Sequence, residues 1–193
     1  WKFILLLLAG LASIPLTWQF LLEYQKKRIL IFLNPESDPL GAGYHLLQSK
    51  IALGSGGILG KGFLNGSQSH LNFLPEKQTD FIFTMLAEEF GLFGGLFVIL
   101  LFFIIIGYGY VISFHINNKF GRLVTLGMTT AIFLYVFINI GMVMGLIPIV
   151  GVPLPFISYG GTSLLATMMA VGFILNGYIF RYIDISRFSS EQD

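Results

Sequence analysis

One block of the chain restricts its fold more than any other. Residues 90–114 read "FGLFGGLFVILLFFIIIGYGYVISF", with no acid, base or amide among them. A helix needs about 20 mostly apolar residues to cross a bilayer, and three further segments meet that length. They are 3–22, 123–147 ("LVTLGMTTAIFLYVFINIGMVMGLI") and 162–180 ("TSLLATMMAVGFILNGYIF"). Pro15 inside the first is tolerable where neighbouring helices cover it, and Trp18 suits an interface. Composition agrees: 55% of residues are apolar and only 11% are charged, against about 25% charged in soluble domains. The expectation is an all-α, polytopic transmembrane protein forming a single membrane domain over 1–193.

Other classes fall away. A net charge of +1 lacks the basic surface that nucleic acid requires, so no nucleic-acid partner is expected. With no cysteine, disulfides, thiol catalysis and Cys-ligated metals are excluded. The chain begins "WKFILLLLAG". Its first apolar run is long and lacks an A-x-A-like cleavage site, so it reads as a span entered from within a longer protein rather than a secretory signal.

Residues 23–80 differ from their flanks. Asn-Pro, Asp-Pro and many glycines mark turns, yet the apolar content is too high for a disordered linker. Leu40, Tyr44, Leu47 and Ile51 recur at helical spacing, with His45, Gln48, Ser49 and Lys50 between them, which predicts an amphipathic helix at the membrane surface. The positive-inside rule places Lys119, Arg122, Arg181, Arg187 and Lys2 in the cytoplasm. The expected order is then span 3–22, extracytoplasmic loop 23–80, helix and span 81–114, span 123–147, extracytoplasmic turn 148–161, span 162–180 and cytoplasmic tail 181–193. Lys26, Lys27 and Arg28 run against that count, although long loops obey the rule poorly. Gly141 with Gly145, and Gly172 with Gly177, read as small faces that need other helices against them.

Asp80 opens the second span. It is either an N-cap, accepting backbone N–H groups at the positive end of the helix dipole, or a carboxylate placed for chemistry at headgroup level. The residues alone leave both open. Glu88 and Glu89 begin the second span; because a charge at mid-bilayer costs at least a few kcal/mol, they either lie at the interface, capping the apolar run, or face a protein interior. His45 and His70 lack metal-ligand spacing, so no metal site is expected. "PFISYGGTS" (155–163) is either a tight helix entry capped by Thr162 or Ser163, or irregular backbone lining a polar cavity. No P-loop, G-x-S-x-G, HExxH or dinucleotide fingerprint occurs.

Two longer stretches add more. "NPESDPLGAGYHLLQSKIALGSGGILGKGFLNGSQSHLNFLPEKQTDFIFTMLAEEFG", followed after two spans by "GVPLPFISYGGTS", resembles the carboxy-terminal half of the SEDS family (RodA, FtsW and SpoVE). The likeness is nearest to the RodA branch, because division members usually carry Lys where this chain has Val150. The resemblance implies a peptidoglycan glycosyltransferase of the bacterial plasma membrane. Such an enzyme polymerises lipid II on the extracytoplasmic side, for cell-wall elongation, beside a class B penicillin-binding protein. It implies Asp80 as the catalytic base. Lys61 and Lys77 would offset the pyrophosphate leaving group, and Ser158, Tyr159, Gly160 and Gly161 would line the substrate cavity. Membrane lipid would fill the grooves between spans, and the family leaves room for a divalent cation without fixing its ligands. The rivals are a flippase for lipid-linked precursors and a non-catalytic scaffold.

Overall fold

The computed structural model describes residues 1, 17–39, 41–66 and 78–182. The expected span over 3–22 falls mostly outside them, as do Lys77, His70 and residues 183–193; residues 17–20 are helical. Among the described residues every regular element is a helix.

Three helices are long and apolar enough to cross a membrane: α3 (Ile82–Phe114), α4 (Lys119–Val143) and α5 (Gly161–Ile179). Before them come α1 (Glu23–Leu33), a 3₁₀ turn (Pro35–Ser37) and α2 (Ala42–Gly56). Helix α4 starts earlier than the apolar run suggests, because the Asn118 side chain accepts from Phe120 N at 2.8 Å. It ends at Val143, short of the expected 147, since Gly145 turns to φ +70. Gly145 is therefore a turn residue, and the Gly141–Gly145 face does not exist as a helical stripe. Gly172 meets no neighbour within 4 Å, whereas Gly177 lies against Thr125 and Gly109 against Thr129. Close approach of α3, α4 and α5 runs through those glycines and threonines.

Helix α2 forms where expected and packs against the protein through its small residues. Its buried residues are Gly43, Leu46, Ser49, Ala52 and Gly56, roughly opposite the Tyr44–Leu47–Ile51 stripe; Ile51 is 52% exposed. A Cβ on Gly56 would meet the Ala87 carbonyl, and one on Gly43 the Pro35 carbonyl. Ser49 Oγ lies 2.9 Å from Thr84 Oγ1 and donates to Val143 O at 2.9 Å. The helix is thus wedged against α3 and the end of α4 through small and hydroxyl residues.

Helix α3 has 33 residues, about 50 Å at 1.5 Å per residue, which exceeds a hydrocarbon core of about 30 Å. Gly91, at φ 69 and ψ −162, breaks it. The segment 57–62 takes up the backbone groups freed there. Lys61 N and Gly62 N donate to Glu88 O and Glu89 O at 3.1 and 3.0 Å, and Leu92 N donates to Gly57 O at 2.9 Å. Gly60, at φ +79, is required twice, because any Cβ would also strike the Glu89 carbonyl. The apolar core (Phe81, Phe83, Met142, Val143, Leu154 and their neighbours) joins the start of α3, the end of α4 and the turn before α5.

Candidate active site

Asp80 is half-buried in the turn that precedes α3. It is not the N-cap: that position is Phe81, whose carbonyl accepts Thr84 N at 3.0 Å. Three successive carbonyls around it are held from outside the turn. Tyr159 N donates to Gln78 O at 2.8 Å, Ser158 Oγ to Thr79 O at 2.6 Å, and Asn139 Nδ2 to Asp80 O at 2.9 Å. The same Asn139 nitrogen donates to Val152 O at 2.7 Å. A turn fastened at every carbonyl has little freedom to re-aim the side chain it carries.

The carboxylate rests against Gly151. A Cβ at that residue would stand 3.0 Å from Asp80 Oδ2, and its φ is +77, so both space and backbone call for glycine. On the same stretch, Arg28 Nη1 donates to Ile149 O at 3.0 Å and Val150 O at 2.9 Å. Given ordinary backbone dimensions, guanidinium and carboxylate are no more than about 10 Å apart. Among the described residues only Nη1 of that exposed guanidinium is engaged. The cation thus stands beside Val150, and it arrives from α1.

A groove of about 650 Å³ adjoins the turn, bordered by Gln78, Ile82, Ser158, Tyr159, Gly160 and Gly161. Ser158 borders it without a hydroxyl to spare, since Oγ donates to Thr79 O and accepts from Leu154 N at 2.7 Å. Ser158 fastens the site instead of offering a donor to a substrate. Tyr159 is 77% exposed. Helix α5 begins at Gly161 with Gly160 at its N-cap, so neither Thr162 nor Ser163 caps it. Phe156, also on the groove, sits at φ 64, a conformation that costs a non-glycine residue of order 1 kcal/mol or more.

Lys61 is placed elsewhere. Its Nζ lies 2.8 Å from Glu88 Oε1, and the Glu88 side chain is 1% exposed. Glu88 and Glu89 are both buried, and of the two expected settings Glu88 takes the protein interior, with Lys61 as counter-ion. His45 packs its ring 6.4 Å from Phe81, and its Nδ1 is buried without a hydrogen-bond partner. Among the described residues no three His, Asp or Glu side chains converge as a cation site. Arg28, Asn139 and Glu88 are the residues that reading the sequence undervalued.

Comparison with known proteins settles the family. A family model for FtsW, RodA and SpoVE, described as a cell cycle protein, matches residues 1–182. The chain belongs to that family. It is 52% identical to the peptidoglycan glycosyltransferase MrdB of Escherichia coli K12 over 171 residues, covering 88% of this chain and 46% of MrdB. It is 47% identical over 153 residues to the stage V sporulation protein E of Bacillus subtilis, covering 79% of this chain and 42% of that protein. The chain therefore spans less than half the length of these FtsW/RodA/SpoVE relatives. A solved peptidoglycan synthase complex, titled for its coordination of polymerization and crosslinking, contains a chain that matches with TM-score 0.72 at 29% identity, over 95% of this chain and 51% of that one. A crystal structure of a RodA mutant from Thermus thermophilus matches with TM-score 0.55 at 29% identity, over 66% and 40%.

Proposed function

We propose that this chain carries the acid-bearing part of a membrane-embedded peptidoglycan glycosyltransferase that polymerises lipid II. The observation that supports the reading most is the fastened Asp80: a half-buried acid in a turn that is held at three carbonyls and borders an open groove through Gln78 and Ile82, in a family whose relatives bear that activity in their names. The ionised Asp80 takes the proton of an acceptor sugar 4-hydroxyl as its oxygen attacks the anomeric carbon of the donor strand. The bond from that carbon to the undecaprenyl pyrophosphate breaks, and its electron pair leaves on the phosphate oxygen.

The leaving group gains negative charge, which a nearby cation must offset. Lys61 is the counter-ion of Glu88, so Arg28 takes that role in our reading. It shares residues 149–151 with Asp80, and a guanidinium suits phosphate oxygens. The site faces the extracytoplasmic side of the plasma membrane, with a class B penicillin-binding protein as partner and polyprenyl tails in the grooves of the multi-pass bundle. A lipid transporter would be expected to aim broken-helix ends at its substrate, whereas the ends freed at Gly91 are taken up by residues 57–62.

The test is Asp80→Asn in the full-length protein with its partner, assayed for glycan strands from lipid II. The amide keeps the shape and cannot take a proton, so synthesis should fall at least about 100-fold while expression and partner binding persist. Polymer at near wild-type rate would remove Asp80 from the base role.

A further inference from the structure

Asn139 stands in α4, four residues before its end, in a helix that after Lys119 and Arg122 in its first turn holds otherwise only apolar, hydroxyl and glycine residues. It is completely buried. Its Nδ2 donates to Asp80 O and to Val152 O, 2.9 and 2.7 Å away. Its Oδ1 is buried with no hydrogen-bond partner among the described residues.

We propose that Asn139 is a positioning residue for the catalytic acid, fixing Asp80 and the wall its carboxylate rests on as one unit; the inference builds on the function proposed above. Packing alone does not account for the amide. A leucine of similar volume would fill the place and leave no orphaned oxygen, and a buried polar atom without a partner opposes folding. What the amide does that leucine cannot is place two hydrogens, in one plane, on two carbonyls from segments about 70 residues apart in the chain. One carbonyl belongs to Asp80 itself. The other belongs to the residue after Gly151, whose Cα faces Asp80 Oδ2. The amide plane therefore sets the distance between the acid and its wall, and with it the direction of the carboxylate. Ser158 repeats the arrangement one residue earlier, joining Thr79 O to Leu154 N, but does not touch the Asp80 peptide. A reacting group displaced by about 1 Å can cost about 100-fold in rate, so an effect acting through position alone is measurable.

The experiment compares Asn139→Leu, Asn139→Asp and Thr129→Val in the full-length protein with its partner, measuring kcat and KM for lipid II, the pH profile and thermal unfolding. Thr129 is equally buried on the same helix, bonded only to Thr125 O at 2.8 Å, and its variant should keep kcat. Asn139→Leu should lower kcat about 30- to 100-fold with KM nearly unchanged, and should shift the acidic limb of the kcat profile, because that limb reports the base. Asn139→Asp keeps the shape but sets acceptors against two carbonyls, so its kcat should fall at least as far. Wild-type kcat in Asn139→Leu overturns the inference. So does a loss that moves kcat, KM and unfolding together with an unshifted pH profile, or failure of both variants to accumulate in membranes, since each marks a purely structural amide. Asp80→Asn measured in parallel separates the two ideas. Activity surviving there sinks the proposed function, whereas an inactive Asp80→Asn beside an active Asn139→Leu sinks only this inference.

Discussion

Two regions of the molecule depart from regular helix, and they are fastened in different ways. At Gly91 the break in α3 is closed by backbone bonds from residues 57–62 and by the Lys61–Glu88 pair. Around Asp80 the turn is held by side chains and one amide reaching in from α4 and the 151–159 segment. In the first region the strong donors, acceptors and charges face one another. In the second the backbone is satisfied, Asp80 is half-buried, and the exposed Arg28 guanidinium keeps donors in hand. Irregular backbone inside a membrane protein is tolerated where protein covers it. What separates the two is that the Gly91 break pairs its charges inward, while the Asp80 turn keeps exposed guanidinium donors beside it.

The largest expected effect tests the first half of that contrast. Lys61→Met takes from buried Glu88 its counter-ion at 2.8 Å, which should cost up to about 3–5 kcal/mol, read as a lower melting temperature and yield of the full-length protein. Lys61→Met with Glu88→Met should regain most of it, as apolar replacements of buried ion pairs often do. If the single variant instead lost strand synthesis at unchanged stability, Lys61 would belong to the site and the contrast would fail. Next comes Gly151→Ala, with a Cβ pressed against Asp80 Oδ2 at a φ of +77. It should lower kcat about 100-fold while the strained backbone costs only about 1 kcal/mol.

Arg28→Lys should weaken inhibition by added inorganic pyrophosphate about tenfold, in line with the loss of one charge-assisted hydrogen bond; unchanged inhibition would send the leaving group to another cation. The smallest pair contrasts the two faces of α2. Ala52→Leu overfills a buried contact, at about 1–3 kcal/mol, whereas Ile51→Ser on the exposed stripe should change stability by less than about 0.5 kcal/mol. Equal effects would mean that the stripe is the packed face after all.

Three of the expected spans were legible because α3, α4 and α5 each carry a long apolar run, and Asp80 stood out by its place in a motif of the family. The rest depended on partners remote in sequence. Arg28 bonds carbonyls more than 120 residues away, and nothing near it in the chain announces them. The side by which α2 packs on the protein was not read from the sequence, because periodicity weighs large apolar residues, while helices approach most closely over small ones, here Gly43, Ser49, Ala52 and Gly56. Asn139 was one amide in a long apolar run, and the position of Glu88 in the chain left interface and protein interior both open. In each case the deciding contact was tertiary.

The excess length of α3 has a geometric consequence for a substrate tethered in lipid. Nine residues separate the break at Gly91 from the start of the helix at Ile82, a rise of about 14 Å. The tail of such a substrate fixes how far its sugar can stand from the hydrocarbon, so a rigid post of that length acts as a ruler for the acid at its tip. Shortening the post by a turn would lower the acid by about 5.4 Å, more than a bond-making step tolerates. In this reading, matching a lipid-linked sugar to its acid is a question of height before it is one of chemistry.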